Sequence, residues 1–248
     1  MGEVSVLKVR IKFTKHGPVK FVGHLDTMRY FQKAIRRAQL PCAFTGGFSP
    51  HIIMSFAAPL GVGTTSRGEY FDLELTEDMP TEEIVRRLDQ QMVEGFSVIA
   101  AAEIEGGKSK NAMSLVAAAD YLVSFREGKL PFIDWNKDFP VFLDQKEILI
   151  TKTGKAGERQ VDILPCIYKT ELRFESGQQH PVIFMRLASA SSNYTKPEQV
   201  IDAFLAFLDI EPVPYSTMAE RLEVYADAGK EEHHFVPLGE LGLGSDSA

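Results

Sequence analysis

The sequence predicts an α+β fold of two tandem ferredoxin-like (split β-α-β) domains, each an antiparallel sheet with helices on one face. Three observations predict it. The elements of the first 105 residues read in the order β-α-β-β-α-β. A polar, glycine-containing stretch, Glu105-Gly-Gly-Lys-Ser-Lys-Asn111, then interrupts the chain. Beyond it the pattern roughly recurs, without the self-similarity of a sequence repeat. The expected boundaries are 1–105 for the first domain, 106–118 for a linker and 119–228 for a degenerate second domain. An acidic, mobile tail is expected over 229–248.

Residues 6–13 alternate, with Leu7, Val9, Ile11 and Phe13 on one face and Lys8, Arg10 and Lys12 on the other. This is a half-buried strand whose second face is basic. With helices on one side of the sheet only, that basic face is expected to be free for a ligand. A helix follows from about Leu25 to Gln39, its apolar stripe Leu25, Met28, Phe31, Ile35 and Ala38, and Pro41 closes it. Ile52 to Ala58 reads as an apolar strand. Glu69 to Thr76 reads as another, with Phe71, Leu73 and Leu75 inward and Tyr70, Asp72 and Glu74 outward. Pro80 and Thr81 start a second helix, and Phe96 to Ile104 alternates again.

In the second half, Tyr121, Val123 and Phe125 alternate and 138–145 forms a short helix. Strands are expected at 147–152, 160–164, 166–174 and 182–188, with turns at Gly154 to Gly157 and Ser176 to His180. Lys196 to Asp209 is a helix with Pro197 in its first turn, and Arg221 to Tyr225 a closing strand.

The totals are those of a globular chain, 44% hydrophobic and 25% charged. No apolar run approaches the ~20 residues that span a bilayer, and the N-terminus is strand-like without a signal-peptide layout, so no membrane partner is expected. Cys42 and Cys166, far apart in sequence, fit a reducing cytoplasm rather than a disulfide framework. The net charge of −7 hides segregation. Residues 1–60 carry nine cations against Glu3 and Asp26, whereas residues 61–104 carry three cations against ten acids. An anionic partner therefore suits the first part of the chain.

Candidate functional residues crowd into Phe21 to Glu74. His24 and Asp26 fall at the strand-to-helix turn, where free amides and the helix dipole favour an anion. Asp26 also suits an N-cap, and His24 a structural histidine, a general base or, with Asp26 and His51, a metal ligand. Arg29, Lys33, Arg36 and Arg37 lie along one side of the helix, either as a solvated face or as phosphate contacts aided by Lys8, Arg10 and Lys12. Pairing of the strand at 69–76 beside 6–13 would instead let Asp72 and Glu74 neutralise those cations in a ladder. Thr45-Gly-Gly-Phe-Ser-Pro-His51 is a turn by composition, and Phe48 beside His51 is an uncommon choice for a mere connector. Arg67 and Glu69 either contact a ligand or pair with each other. No phosphate-binding P-loop, dinucleotide fingerprint or nucleophile elbow is present.

The motifs GHLDTMR, KAIRRAQLP, GGFSPH, SFAAPLGVG and SRGEYFDLEL, in this order, resemble the bacterial radical-SAM-linked family, a domain of unknown function. Members are fused to, or encoded beside, a cobalamin-binding radical-SAM protein. The likeness is dense over residues 6–76 and thinner beyond, where VDILPCIY and RLEVY continue it. The resemblance implies a radical-SAM/cobalamin protein as partner, and the family's gene neighbours hint at RNA. Two cysteines cannot supply the three thiolates of a radical-SAM cluster, so the chain reads as accessory and no cofactor of its own is predicted.

The leading reading is a non-catalytic module that presents an RNA or nucleotide-bearing substrate through His24, Asp26, Arg29, Arg36, Arg37, Phe48, His51, Arg67 and Glu69. One alternative is a metal-independent RNA endonuclease with His24 as general base, similar in outline to CRISPR repeat-processing nucleases but without their glycine-rich C-terminal loop. Another is a protein–protein scaffold that binds no nucleic acid.

Overall fold

The computed structural model describes residues 7–104, 111–154 and 157–241 as a mixed α+β chain of mostly antiparallel strands and few helices. It divides into two units, Met1–Ala117 with Glu223–Ala248, and Ala118–Leu222. Among the described residues no helix is long and apolar enough to cross a membrane.

The first unit contains β1 (Leu7–Lys15), α1 (His24–Arg37), β2 (Met54–Phe56), β3 (Thr65–Leu75), α2 (Thr81–Asp89), β4 (Phe96–Ile104) and a single turn, α3 (Ala112–Leu115). All pairings are antiparallel, in the order β4-β1-β3 with β2 against β3. The alternation read from the sequence places Val9, Ile11, Phe13, Phe71 and Leu73 on the face that α1 and α2 cover. There Phe31 is fully buried at the centre of an aromatic cluster. Its ring centroid lies 4.6 Å from Phe13, 5.1 Å from Phe71 and 5.6 Å from Phe96, within the range where tilted and edge-on pairs attract beyond their buried area.

Helix α1 starts one residue earlier than expected, and its buried row is Thr27, Phe31, Ala34 and Ile35. Leu25 is exposed, because it lies about a third of a turn away from Phe31 on the helix surface. Asp26 is not the N-cap. Gly23 takes that position without a side-chain bond, while Asp26 sits exposed in the first turn. The strand expected at 52–58 shrinks to β2 and an isolated bridge between Phe44 and Ile52. Strand β3 instead extends back to Thr65.

The second unit contains most of β5 (Val116–Phe125), then α4 (Trp135–Leu143), β6 (Leu149–Gly154), β7 (Gly157–Asp162), β8 (Ile167–Arg173), β9 (Val182–Ala188), α5 (Pro197–Phe207) and the first part, up to Leu222, of β10 (Thr217–Asp227). Its strand order is β10-β5-β9-β8, while β6 and β7 form a separate hairpin. Trp135, Phe139, Phe142 and Phe204 fill the space between α4 and α5. The Trp135 indole donates to His180 Nδ1 at 3.1 Å.

The tail expected to be mobile from residue 229 is ordered over 235–240. Strand β11 (Phe235–Pro237) pairs with the end of β10, and Leu238 is fully buried. The buried Leu238 side chain, the bond of its carbonyl to Arg10 and the pairing of β11 with β10 together hold the segment. The expected linker at 106–118 lies in part outside the described residues, and its described portion holds α3 and the start of β5. The expected turn at 154–157 and the final residues 242–248 also fall wholly or partly outside.

Gly95 shows how tightly the approach to β4 is built. Its φ is +97°, and a Cβ there would lie 2.6 Å from the His16 carbonyl oxygen and 2.8 Å from Val19. The His16 amide donates to the Gly95 carbonyl at 2.7 Å, so backbone rather than a flexible side chain blocks the space. Gly95→Ala is expected to lower stability by about 2–4 kcal/mol, read as a lower urea midpoint at unchanged slope. A variant as stable as wild type contradicts this account of the turn.

Candidate functional site

The basic face of β1 is not free. In the β1–β3 register Lys8 faces Glu74, Arg10 faces Asp72 and Lys12 faces Tyr70. The ladder weighed from the sequence is therefore the arrangement found, and the expectation of an open basic face fails. Arg10 Nε and Nη2 donate to Asp72 at 2.8 and 3.2 Å, both side chains being about 1% exposed. The remaining capacity of the pair is used as well. Arg10 Nη1 donates to the Leu238 carbonyl at 3.1 Å, and the Ala112 amide donates to Asp72 at 2.7 Å. Lys8 reaches Asn111 and, at 3.7 Å, Glu74. Lys12 pairs with Glu223 at 2.5 Å, and Tyr70 donates to the same carboxylate at 2.7 Å. Burial, followed by the Glu223 charge, pushes the Tyr70 phenol well above its usual range.

A small cleft enclosing about 10 Å3, the room of one water, opens on the other face of the sheet. Its lining consists of Phe13, Phe56, Ala58 and Leu60 together with Lys15, His24, Thr27 and Glu69. Lys15 and Glu69 are both buried. Their presence follows from strand parity. Lys15 continues the inward row Val9, Ile11, Phe13, and Glu69 continues the inward row Leu75, Leu73, Phe71. A register shift after Phe13 sets Phe13 against Glu69 and Lys15 against Ser66, the kind of irregularity that re-aims side chains at the end of a ladder. Lys15 Nζ donates to the Val22 carbonyl at 2.6 Å, tying the strand end to the turn before α1.

His24 closes the cleft from the first residue of α1, its ring edge-on to Phe56 at 5.4 Å. Burial is the main cause that lowers its pKa. The Lys15 ammonium lowers it further and the Glu69 carboxylate opposes both. The imidazole is therefore held neutral at neutral pH, able to donate from one nitrogen and accept at the other.

Of the residues singled out from the sequence, His24 and Glu69 meet in this cleft and the others do not line it. Asp26 pairs with Arg29 at 3.1 Å on the outside of α1. Arg37 donates to the Gln91 carbonyl at 3.1 Å and lies over the Tyr30 ring, while Arg36 and Arg67 are exposed. The turn at 45–51 is closed by the Thr45 amide on the His51 carbonyl at 2.8 Å, with Phe48 fully exposed at its tip and His51 exposed beside it. Among the described residues no three His, Cys, Asp or Glu side chains gather closely enough to hold a metal, so the set His24, Asp26 and His51 does not assemble. Lys15 is the cleft residue that sequence reasoning missed, although the alternation 7-9-11-13-15 already pointed it inward.

The lowered His24 pKa has a consequence for stability. Between the folded pKa and the ordinary value near 6.5 the unfolded chain binds more protons, so this group's contribution is present above that window and is lost as pH falls through it. His24→Gln is expected to flatten the decline in stability on acidification below pH ~6.5, and the ring protons of His24 to titrate with a midpoint below that value. An NMR midpoint at or above the ordinary value contradicts the cleft's polarity.

A family model described as an uncharacterized protein conserved in bacteria, DUF2344, matches residues 8–197. No curated protein matches the chain. Among solved structures, an unknown protein from Galdieria sulphuraria is similar over 88% of this chain and 98% of that one, at 10% identity and a TM-score of 0.24. A likeness that loose carries no argument.

Proposed function

The chain belongs to DUF2344, a family of uncharacterized bacterial proteins, and on that premise we propose that it is a non-catalytic recognition module that holds an RNA or nucleotide-bearing substrate for a radical-SAM/cobalamin enzyme. The enzyme partner rests on the motif resemblance over residues 6–76. The strand orders β4-β1-β3-β2 and β10-β5-β9-β8 support reading both units as split β-α-β modules.

One observation carries the choice of surface. Lys8, Arg10 and Lys12 of β1 are taken up by internal ion pairs, whereas Arg29, Lys33, Arg36 and Arg37 of α1 all remain exposed, Arg29 beside Asp26. Phosphate contacts accordingly fall to the outer side of α1. The His24 cleft encloses only about 10 Å3, room for a single water-sized group such as one hydroxyl of the same ligand. Three phosphate contacts on a single strand would give a salt slope of about −2 in log K, or roughly 20-fold weaker binding between 50 and 200 mM salt. Arg29→Gln with Arg36→Gln is expected to weaken RNA binding and to reduce that slope. Binding that ignores both salt and these substitutions removes nucleic acid from the reading and leaves a protein–protein scaffold, which a nuclease-treated pulldown with the radical-SAM partner would register.

A second reading has its own support in the neutral imidazole of His24 beside Lys15 and Glu69. These are the parts of a general base with a charged neighbour, as a metal-independent RNA endonuclease would use. RNA cleavage that survives EDTA and disappears in His24→Ala would establish it. RNA left intact after long incubation would retire it.

A further inference from the structure

A second polar cluster lies in the other unit, where the β6–β7 hairpin meets the start of α5. Lys152 and Arg159 sit directly opposite each other in the hairpin register, and like charges so placed repel. Lys196 occupies the N-cap of α5, the end of a helix that disfavours a cation. Burial disfavours the Lys152 ammonium most, and the charges of Arg159 and Lys196 add to it while Cys166 acts the other way. Among the described residues no carboxylate forms an ion pair with any of the three.

The cluster is also held in place. Lys152 Nζ donates to the Tyr194 carbonyl at 2.6 Å, and the Thr195 amide donates to the Ala188 carbonyl at 3.0 Å, closing the serine-rich loop that leads from β9 into α5. The Ser189 hydroxyl, at the start of this loop, is buried without a hydrogen-bond partner, while the Tyr121 and Tyr194 hydroxyls lie beside each other. The local acids, Glu198 and Asp202, lie along α5 itself, with Glu198 near Tyr194.

Three neighbouring cations, a helix N-terminus and an idle buried hydroxyl are unfavourable together unless an anion joins them. We propose that Lys152, Arg159 and Lys196 form a binding site for a phosphate monoester, with Ser189 as a hydroxyl donor. A monoester carries about −1.5 to −2 charges and three acceptor oxygens, which matches three cations better than a singly charged diester does. The group is either the phosphate of a free mononucleotide or the 5′ phosphate of an RNA chain. The site is separate from the α1 surface and stands whether or not that surface binds RNA.

The test uses the full chain at constant ionic strength. Saturating AMP is expected to raise the melting temperature by about 2–4 °C, while adenosine and sulfate leave it unchanged. The double variant Lys152→Gln, Arg159→Gln should lose the AMP shift while remaining folded, and Arg159→Gln alone, which keeps the Lys152–Tyr194 bond, should melt no lower than wild type without ligand because a repulsion has been removed. A 5′-phosphorylated RNA that binds ~10-fold tighter than its 5′-hydroxyl twin, in wild type only, identifies an RNA end as the source. An AMP shift without that difference identifies a free nucleotide. No AMP shift, an equal shift from sulfate, or a shift retained in the double variant overturns the proposal.

Discussion

Two buried charges, Arg10 and Asp72, fix the arrangement of the first unit. A guanidinium and a carboxylate removed from water are tolerated only when their hydrogen-bonding capacity is satisfied. Here the two strands supply the pair, the Ala112 amide supplies a further donor and the Leu238 carbonyl a further acceptor. Segments far apart in sequence are thus required to converge at one point. The β1–β3 register follows, because a slip of either strand by one residue would turn its own charge toward the aromatic core and leave the other buried without its partner. From that register come the flanking pairs of Lys8 and Lys12, and on the opposite face the placement of Lys15 and Glu69.

Much of this was legible in the sequence, and the parts that were not share a cause. Period-two patterning gave the faces of β1 and β3, and with them the possibility that Asp72 and Glu74 neutralise the cations of β1. Glu223 and Leu238 were invisible as partners, because nothing local marks a residue more than 200 positions away as the group that completes an ion pair. The tail was misread for the same reason. Its glycine and acidic content describes its local preference, while the burial of Leu238 is a tertiary fact. Asp26 was misread by a single position, since a helix that begins at His24 puts the cap at Gly23. Lys15 was readable from parity but is easily dismissed at a strand end, where alternation often lapses.

The distribution of charge shows what the average conceals. The first sixty residues look like a nucleic-acid-binding surface when counted, yet their strand cations are internal and mostly satisfied. What remains outside is a helical stripe and a cleft in which a cation, an anion and a neutral imidazole sit within an aromatic wall. A site of that composition discriminates by hydrogen-bond pattern rather than by net attraction, because its own charges largely cancel. The cluster at the start of α5 is the reverse case, with cations gathered and little to balance them.

The Arg10–Leu238 contact also orders events in time. Arg10 leaves the ribosome early, but the carbonyl that completes its bonding is made only after the entire second unit has been synthesised. Until then the face of β1 opposite the helices carries Lys8, Arg10 and Lys12 without Glu223 or the Leu238 segment over them. The unit that begins first therefore finishes last. During translation Asp72 and Glu74 are there to balance Arg10 and Lys8 as soon as β3 is made, whereas Lys12 and the last donor of Arg10 wait for Glu223 and Leu238.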